Sequence, residues 1–206
     1  MDRVRRITLS VIAVATLGLA ACNKGTSGSG VAGDSEMSLG NPNAKVTVIE
    51  YASASCPHCA RFNNDVFPQF KTKYIDSGKI HYIFREFLTP PIQFAAAGFL
   101  TARCAGKDKY FSVLDTIYHD QAQIYQSGDL RGGLLNIAKS AGLTEQQFNA
   151  CISDADALKA LNDRVTKAQD QDHIEGTPTF VVNGKQVSSG EMTLGQLDDA
   201  IKAAGG

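Results

Sequence analysis

The chain has 206 residues, 43% of them apolar, and its 20 basic and 21 acidic side chains leave a formal net charge of −1. So even a balance excludes a protein built to bind nucleic acid by charge, and the apolar content excludes a disordered chain. The length suits one globular core with an embedded second element.

Arg3, Arg5 and Arg6 form a positive cluster, and Ile7 to Ala21 is a run of apolar and small residues too short for a comfortable membrane span. Residues 1–21 therefore read as a secretory signal. The run ends in Leu19-Ala20-Ala21-Cys22, which resembles the bacterial lipobox, so Cys22 is expected to carry lipid at the start of the mature chain. The other reading is ordinary cleavage nearby, which leaves Cys22 as a spare thiol. Several acyl chains anchor a protein durably, whereas one is marginal. The signal holds three Arg and one Asp, so its removal takes the net charge from −1 to −3. Residues 22–38, rich in Gly and Ser, read as a flexible tether. The expected location is the periplasmic side of a bacterial membrane, held by the lipid anchor alone, in an oxidising space where disulfides persist.

Val46, Val48 and Ile49 mark a buried strand over 45–51. It runs into Cys56-Pro57-His58-Cys59, two thiols at C-x-x-C spacing. Pro57 is well placed in the first turn of a helix, because its missing N–H leaves no intrahelical bond unmade. That sets Cys56 at the helix N-cap, where free backbone N–H groups and the positive end of the dipole favour a thiolate. His58 could donate to the same sulfur. Cys59, one turn further on, is expected to be the less exposed, resolving thiol. A zinc site would need a second ligand pair, and no other C-x-x-C or H-x-x-H occurs. A c-type haem would need His at position 60, which is Ala60. Glu50 lies inside the apolar strand, where burial would raise its pKa and suit it to exchange a proton with Cys59, the other reading being a solvated carboxylate at a strand end.

The helix from Pro57 carries Phe62, Val66, Phe67, Phe70 and Tyr74 at helical spacing, and Pro68 is expected to kink it. Ile80 to Phe84 reads as a second strand, parallel to the first. From Ile92 to about His173 the pattern is helical throughout: Phe111, Leu114, Ile117 and Tyr118 mark one helix, and Leu130, Leu134, Ile137, Ala138 and Ala141 another. Thr144 with Gln147 caps a third, and Leu158, Leu161, Val165 and Ala168 stripe a fourth. Thr179 to Val182, an Asn183-Gly184 turn and Gln186-Val187 predict a hairpin, and Leu194, Leu197 and Ile201 a closing helix. His81, His119 and His173 have no partner motif and are expected in packing or solvent-facing roles.

Glu50 six positions before the first cysteine, Cys56-Pro57-His58-Cys59, and Gly176-Thr177-Pro178-Thr179-Phe180 followed by Asn183-Gly184 together resemble the DsbA-type thiol oxidoreductases over about residues 39–206. The resemblance implies an α/β thioredoxin fold at 39–90 and 174–206, interrupted by a helical subdomain at 91–173. It makes Pro178 the cis-proline beside the redox pair, with the Thr177 backbone free to pair with an extended substrate segment. It adds weight to the proton role of Glu50. Some DsbA-like proteins similar to this one also carry a second disulfide. Cys104 and Cys151, the two thiols left over, would then pair and add roughly 3–4 kcal/mol by the chain-entropy argument, the alternative being buried free thiols.

The implied activity is dithiol–disulfide exchange, with no dissociable cofactor because the redox group is the Cys56–Cys59 disulfide itself. Unfolded exported proteins are the expected clients, and a membrane quinone-linked partner is expected to reoxidise the pair. Two rivals stand beside it: a reductase or isomerase of the same fold, and a lipid-anchored metal-binding module using both thiols and His58.

Overall fold

The computed structural model describes residues 36–206. The signal-type segment, Cys22 and most of the tether lie outside them. Strand β1 (Met37–Gly40) is the first element, and β2 (Val46–Ala52) follows. Sequence reading assigns Met37 and Ser38 to the tether, and the structure corrects this. Met37 is 1% exposed and pairs opposite Phe84, because a sheet edge with open N–H and C=O groups recruits even a short adjoining segment.

Helix α1 (Pro57–Arg61) follows β2 and runs on through a π turn (Phe62–Val66), the short helix α2 (Phe67–Phe70) and a second π turn (Lys71–Ile75). Pro68 sits in the first turn of α2. The expected interruption thus takes the form of a widened turn just ahead of the proline, in which the Phe67 N–H reaches back to the Phe62 carbonyl. Strand β3 (Ile80–Glu86) then pairs with β2 in parallel, Val48 facing Tyr82 and Glu50 facing Phe84.

The chain leaves the sheet for α3 (Ile92–Cys104), α4 (Tyr110–Ser127), α5 (Leu130–Ser140), α6 (Glu145–Ile152) and α7 (Ala155–Asp170). Side chains stop the ends from fraying: Asp129 and Asp154 accept the N–H groups of Gly132 and Ala157, and Thr144 with Gln147 closes a capping box. The α7 stripe differs from its expectation at Leu158, which is 38% exposed. Its buried face is Ala157, Leu161, Val165 and Ala168.

Strands β4 (Thr179–Val182) and β5 (Lys185–Ser189) form the hairpin, and α8 (Leu194–Ala203) closes the chain. Asn183 and Gly184 both have positive φ, as a two-residue turn matched to the strand twist requires. The sheet order is β1-β3-β2-β4-β5, with only the β2–β3 pair parallel. One face is packed with aromatic rings from both halves of the chain: Phe62 against Phe180, Phe67 and Phe70 against Tyr82, and Phe84 against Phe99, Tyr110 and Phe111. This is a mixed α/β thioredoxin-like fold with a helical insertion, and β2, the central strand, delivers Cys56 at its end.

Candidate active site

Cys56 is the N-cap of α1. Its backbone is extended, its own N–H bonds the Ser53 carbonyl at 3.0 Å, and its sulfur accepts the Cys59 N–H at 3.4 Å. The thiol also lies 3.3 Å from the Thr177 carbonyl, to which it donates, and the Thr177–Pro178 peptide is cis. Strand β4 thus brings a loop from the far end of the chain against the redox pair. Both cysteines are free thiols, Cys56 6% exposed and Cys59 fully covered.

The two sulfurs are electrostatically unlike. Hydrogen bonding from the Cys59 thiol, with smaller contributions from the Cys59 and His58 backbone N–H groups, outweighs burial and pulls Cys56 down to about 5 from an ordinary 9.0. Cys59 is pushed well above its ordinary value by burial first, then by its bond to Cys56 and the charges of Cys56 and Glu50. One proton between two thiols therefore stays on Cys59.

Glu50 is buried in β2, and its carboxylate accepts the Tyr82 hydroxyl at 2.6 Å. Burial raises it to about 7, against the lowering effect of that hydrogen bond and with a smaller push from the Cys56 charge. A carboxyl with a pKa near neutrality, electrostatically coupled to both thiols, is suited to giving and taking their proton.

His58 does not face the sulfur as sequence reading allowed. Its ring is exposed, and Nδ1 meets Glu191 and, at 2.5 Å, Arg61, which itself donates to Glu191 at 2.6 Å. A carboxylate in the loop before α8 captures the ring, so His58 acts on Cys56 through its backbone N–H alone.

The helical insert holds the redox turn in place. From α4, Gln121 donates to the Ala54 carbonyl at 2.9 Å and Tyr125 to the Ser55 carbonyl at 3.0 Å. Gly98 lets α3 come so close that a Cβ there would lie 3.1 Å from the Ala54 Cβ. None of Tyr82, Gln121, Tyr125 or Glu191 is singled out by the sequence. Tyr82 alone carries a usable signal, since strand alternation sets it on one face of its strand.

Cys104, at the end of α3, is bonded to Cys151 of α6 across 47 residues. Among the described residues no group of three His, Cys, Asp or Glu side chains is placed to hold a metal ion. Nor is any helix there long and apolar enough to cross a membrane.

A family profile described as thioredoxin matches residues 33–203. The chain belongs to the thioredoxin family. This thioredoxin-family chain is 36% identical over 175 residues to a Rickettsia bellii protein provisionally named a protein-disulfide oxidoreductase, covering 83% of this chain and 65% of that one. It is 25% identical over 158 residues to the disulfide bond formation protein D of Bacillus subtilis, covering 73% and 69%. The chain spans a little under two thirds of the length of the Rickettsia relatives, 65% and 61% for two of them. Among solved structures, α-DsbA1 of Wolbachia pipientis superposes with a TM-score of 0.75 at 28% identity over 83% of this chain and 91% of that one. BdbD of Bacillus subtilis in its oxidised form gives 0.71 at 22% identity over 82% and 92%, a likeness of fold. The helical insertion between β3 and β4 is thus a DsbA-type elaboration of the thioredoxin fold.

Proposed function

We propose that this protein is a thiol:disulfide oxidoreductase that introduces disulfides into exported, unfolded proteins through Cys56 and Cys59. The observation that carries the reading is the Cys56 sulfur at the N-cap of α1, accepting a backbone N–H and facing the Thr177 carbonyl of the opposite loop. A client thiolate attacks Cys56 of the oxidised pair. The Cys56–Cys59 bond breaks, a Cys56–client disulfide forms, and Cys59 leaves and takes up a proton, for which Glu50 is the donor. A second client thiolate then attacks the client sulfur, forming the client disulfide and releasing Cys56 as a thiolate. Stabilising that thiolate favours the reduced enzyme and so makes the oxidised pair a strong oxidant. The Thr177-Pro178 segment is the edge on which an extended client lies.

The sign of the pH dependence follows from the depressed Cys56. Its contribution to the reduced form is full above the ordinary thiol value of 9.0 and is lost as pH falls through about 5. The oxidising drive therefore holds at neutral pH and fades in acid. No dissociable cofactor is required, since the pair itself carries the electrons. Cys22 is the lipidation site in this reading, which tethers the domain on the periplasmic side of a bacterial membrane and raises the effective concentration of a quinone-linked partner that reoxidises Cys56 and Cys59.

Mixing oxidised protein with a reduced, unfolded disulfide protein tests the reading. The expected result is one client disulfide formed per Cys56–Cys59 pair reduced, with Cys59→Ser trapping a client adduct at Cys56. Alkylation of intact cells that finds the pair mostly as dithiol, together with no client oxidation by the purified protein, would reverse the direction to reductase or isomerase.

A further inference from the structure

Tyr118 points from α4 into the redox core, and its hydroxyl is fully buried with no hydrogen-bond partner among the described residues. Leaving such a group dry costs about 1–3 kcal/mol, so it marks a place for a bound polar molecule. Tyr118 also lines a cavity of about 400 Å³ between α4 and the helix that starts at Pro57. Its lining includes the buried Glu50 and Tyr82 and the partly or fully exposed Asn63, Lys71 and Asp115. Glu50 is otherwise sealed: it is 3% exposed, and it must give up or regain a proton each time Cys59 changes state.

We propose that Tyr118 is a proton relay: water held between its hydroxyl and the Glu50 carboxyl carries the proton exchanged with Cys59 to solvent through the cavity between α4 and the redox helix. The inference deepens the function proposed above and rests on it. The groups acting on Tyr118 are Cys59, Glu50, Tyr110 and Cys56, with Tyr82 beside Glu50 and with Lys71 and Asp115 in the cavity lining. A hydroxyl both accepts and donates, so it can pass a proton without holding charge, which none of the neighbouring apolar side chains can do. When Cys59 closes the pair, its sulfur bonds to Cys56 and the Cys56 bond to the departing group breaks. That group leaves as a thiolate, and the Cys59 proton passes to Glu50 and then outward.

The test uses Tyr118→Phe in the full chain. Cys56 is loaded as a mixed disulfide with glutathione in acid, and a jump to higher pH starts closure by Cys59, with release of glutathione thiolate as the signal. Closure in Tyr118→Phe is expected to slow about tenfold, less than the roughly 10²–10⁴-fold typical of a group that itself exchanges the reacting proton because Tyr118 acts through Glu50, with a larger slowing in D2O than the wild type shows. Because the hydroxyl has no hydrogen-bond partner among the described residues, melting temperature and the Cys56 titration should be unchanged, which separates a relay from a structural role. A wild-type closure rate with a wild-type solvent isotope effect would overturn the relay. Closure needs no client, so a wild-type protein that closes normally yet oxidises no client would overturn the proposed function separately.

Discussion

One carboxyl–hydroxyl pair, Glu50 with Tyr82, and two unequal thiols set the chemistry at the scale of single residues. Glu50 has its pKa raised to about 7 by burial, so the folded chain keeps a proton that the unfolded chain releases. Stability from this group is intact below its ordinary value of 4.5 and erodes as pH rises through about 7. Glu50→Gln is therefore expected to make the reduced protein more stable than wild type at about pH 8 by roughly 3 kcal/mol, the gain shrinking to nothing toward about pH 4. Urea midpoints at the two pH values check this, and an equal effect at both would show that the carboxyl is not held neutral by burial. Sequence pattern is enough to single out Glu50, an acid inside an apolar strand. It is not enough to find Tyr82, whose hydroxyl meets Glu50 only because β2 and β3 pair in one particular register. His58 illustrates the converse: adjacency to Cys56 suggests a donor to the sulfur, yet Glu191 and Arg61 turn its ring away.

At the scale of elements, spacing and caps carry most of the pattern. The Thr144–Gln147 capping box, the Asn183-Gly184 turn and the stripe of Leu161, Val165 and Ala168 are all local, and each appears where its residues say. The hairpin tip is locked by longer reach: Asn183 Oδ1 accepts the Thr47 N–H at 2.8 Å, and the Asn183 N–H returns a bond to the Thr47 carbonyl at 3.0 Å. These bonds fix β4 against β2 and with it the loop that faces Cys56. Within the insert, the Cys104–Cys151 disulfide joins α3 to α6 over a separation of 47. Replacing both by Ala is expected to lower stability by roughly 3–4 kcal/mol, as the loss of a loop constraint of this length implies. The thiolate absorbance of Cys56 should stay where it is. Denaturant midpoints and that titration together check the prediction, and a shifted Cys56 would mean that the insert transmits strain to the redox turn.

At the scale of the whole molecule, one buried carboxylate binds sheet to insert. Glu86, at the end of β3 and 2% exposed, accepts Arg103 Nε of α3 at 2.6 Å, the Tyr110 hydroxyl of α4 at 2.9 Å and Arg164 Nε of α7 at 2.9 Å. Removing one member of a buried charge cluster costs about 3–5 kcal/mol, because the partners stay buried without their counter-charge. Glu86→Ala is expected to destabilise the protein by about that much while leaving the Cys56 titration of the folded fraction unchanged. Chemical denaturation of the variant checks it; a loss under about 1 kcal/mol would show that the insert is held by apolar packing alone. Gln121 and Tyr125 make the second tie, from α4 to the carbonyls just before Cys56. The insert is thus part of the scaffold of the redox turn as well as an addition to the fold.

By itself the sequence determines the paired thiols and the order of elements. A C-x-x-C pair after an apolar strand, a proline in the first helical turn and a two-residue hairpin turn are short-range facts, written in residues that touch along the chain. Tertiary structure alone decides what surrounds the sulfur. The partners that matter come from 121 residues away for Thr177, 133 for Glu191 and 32 for Tyr82 beneath Glu50. Such contacts depend on strand register and on how closely helices approach the sheet. Those are properties of packing summed over the whole core, and no single stretch of chain encodes them.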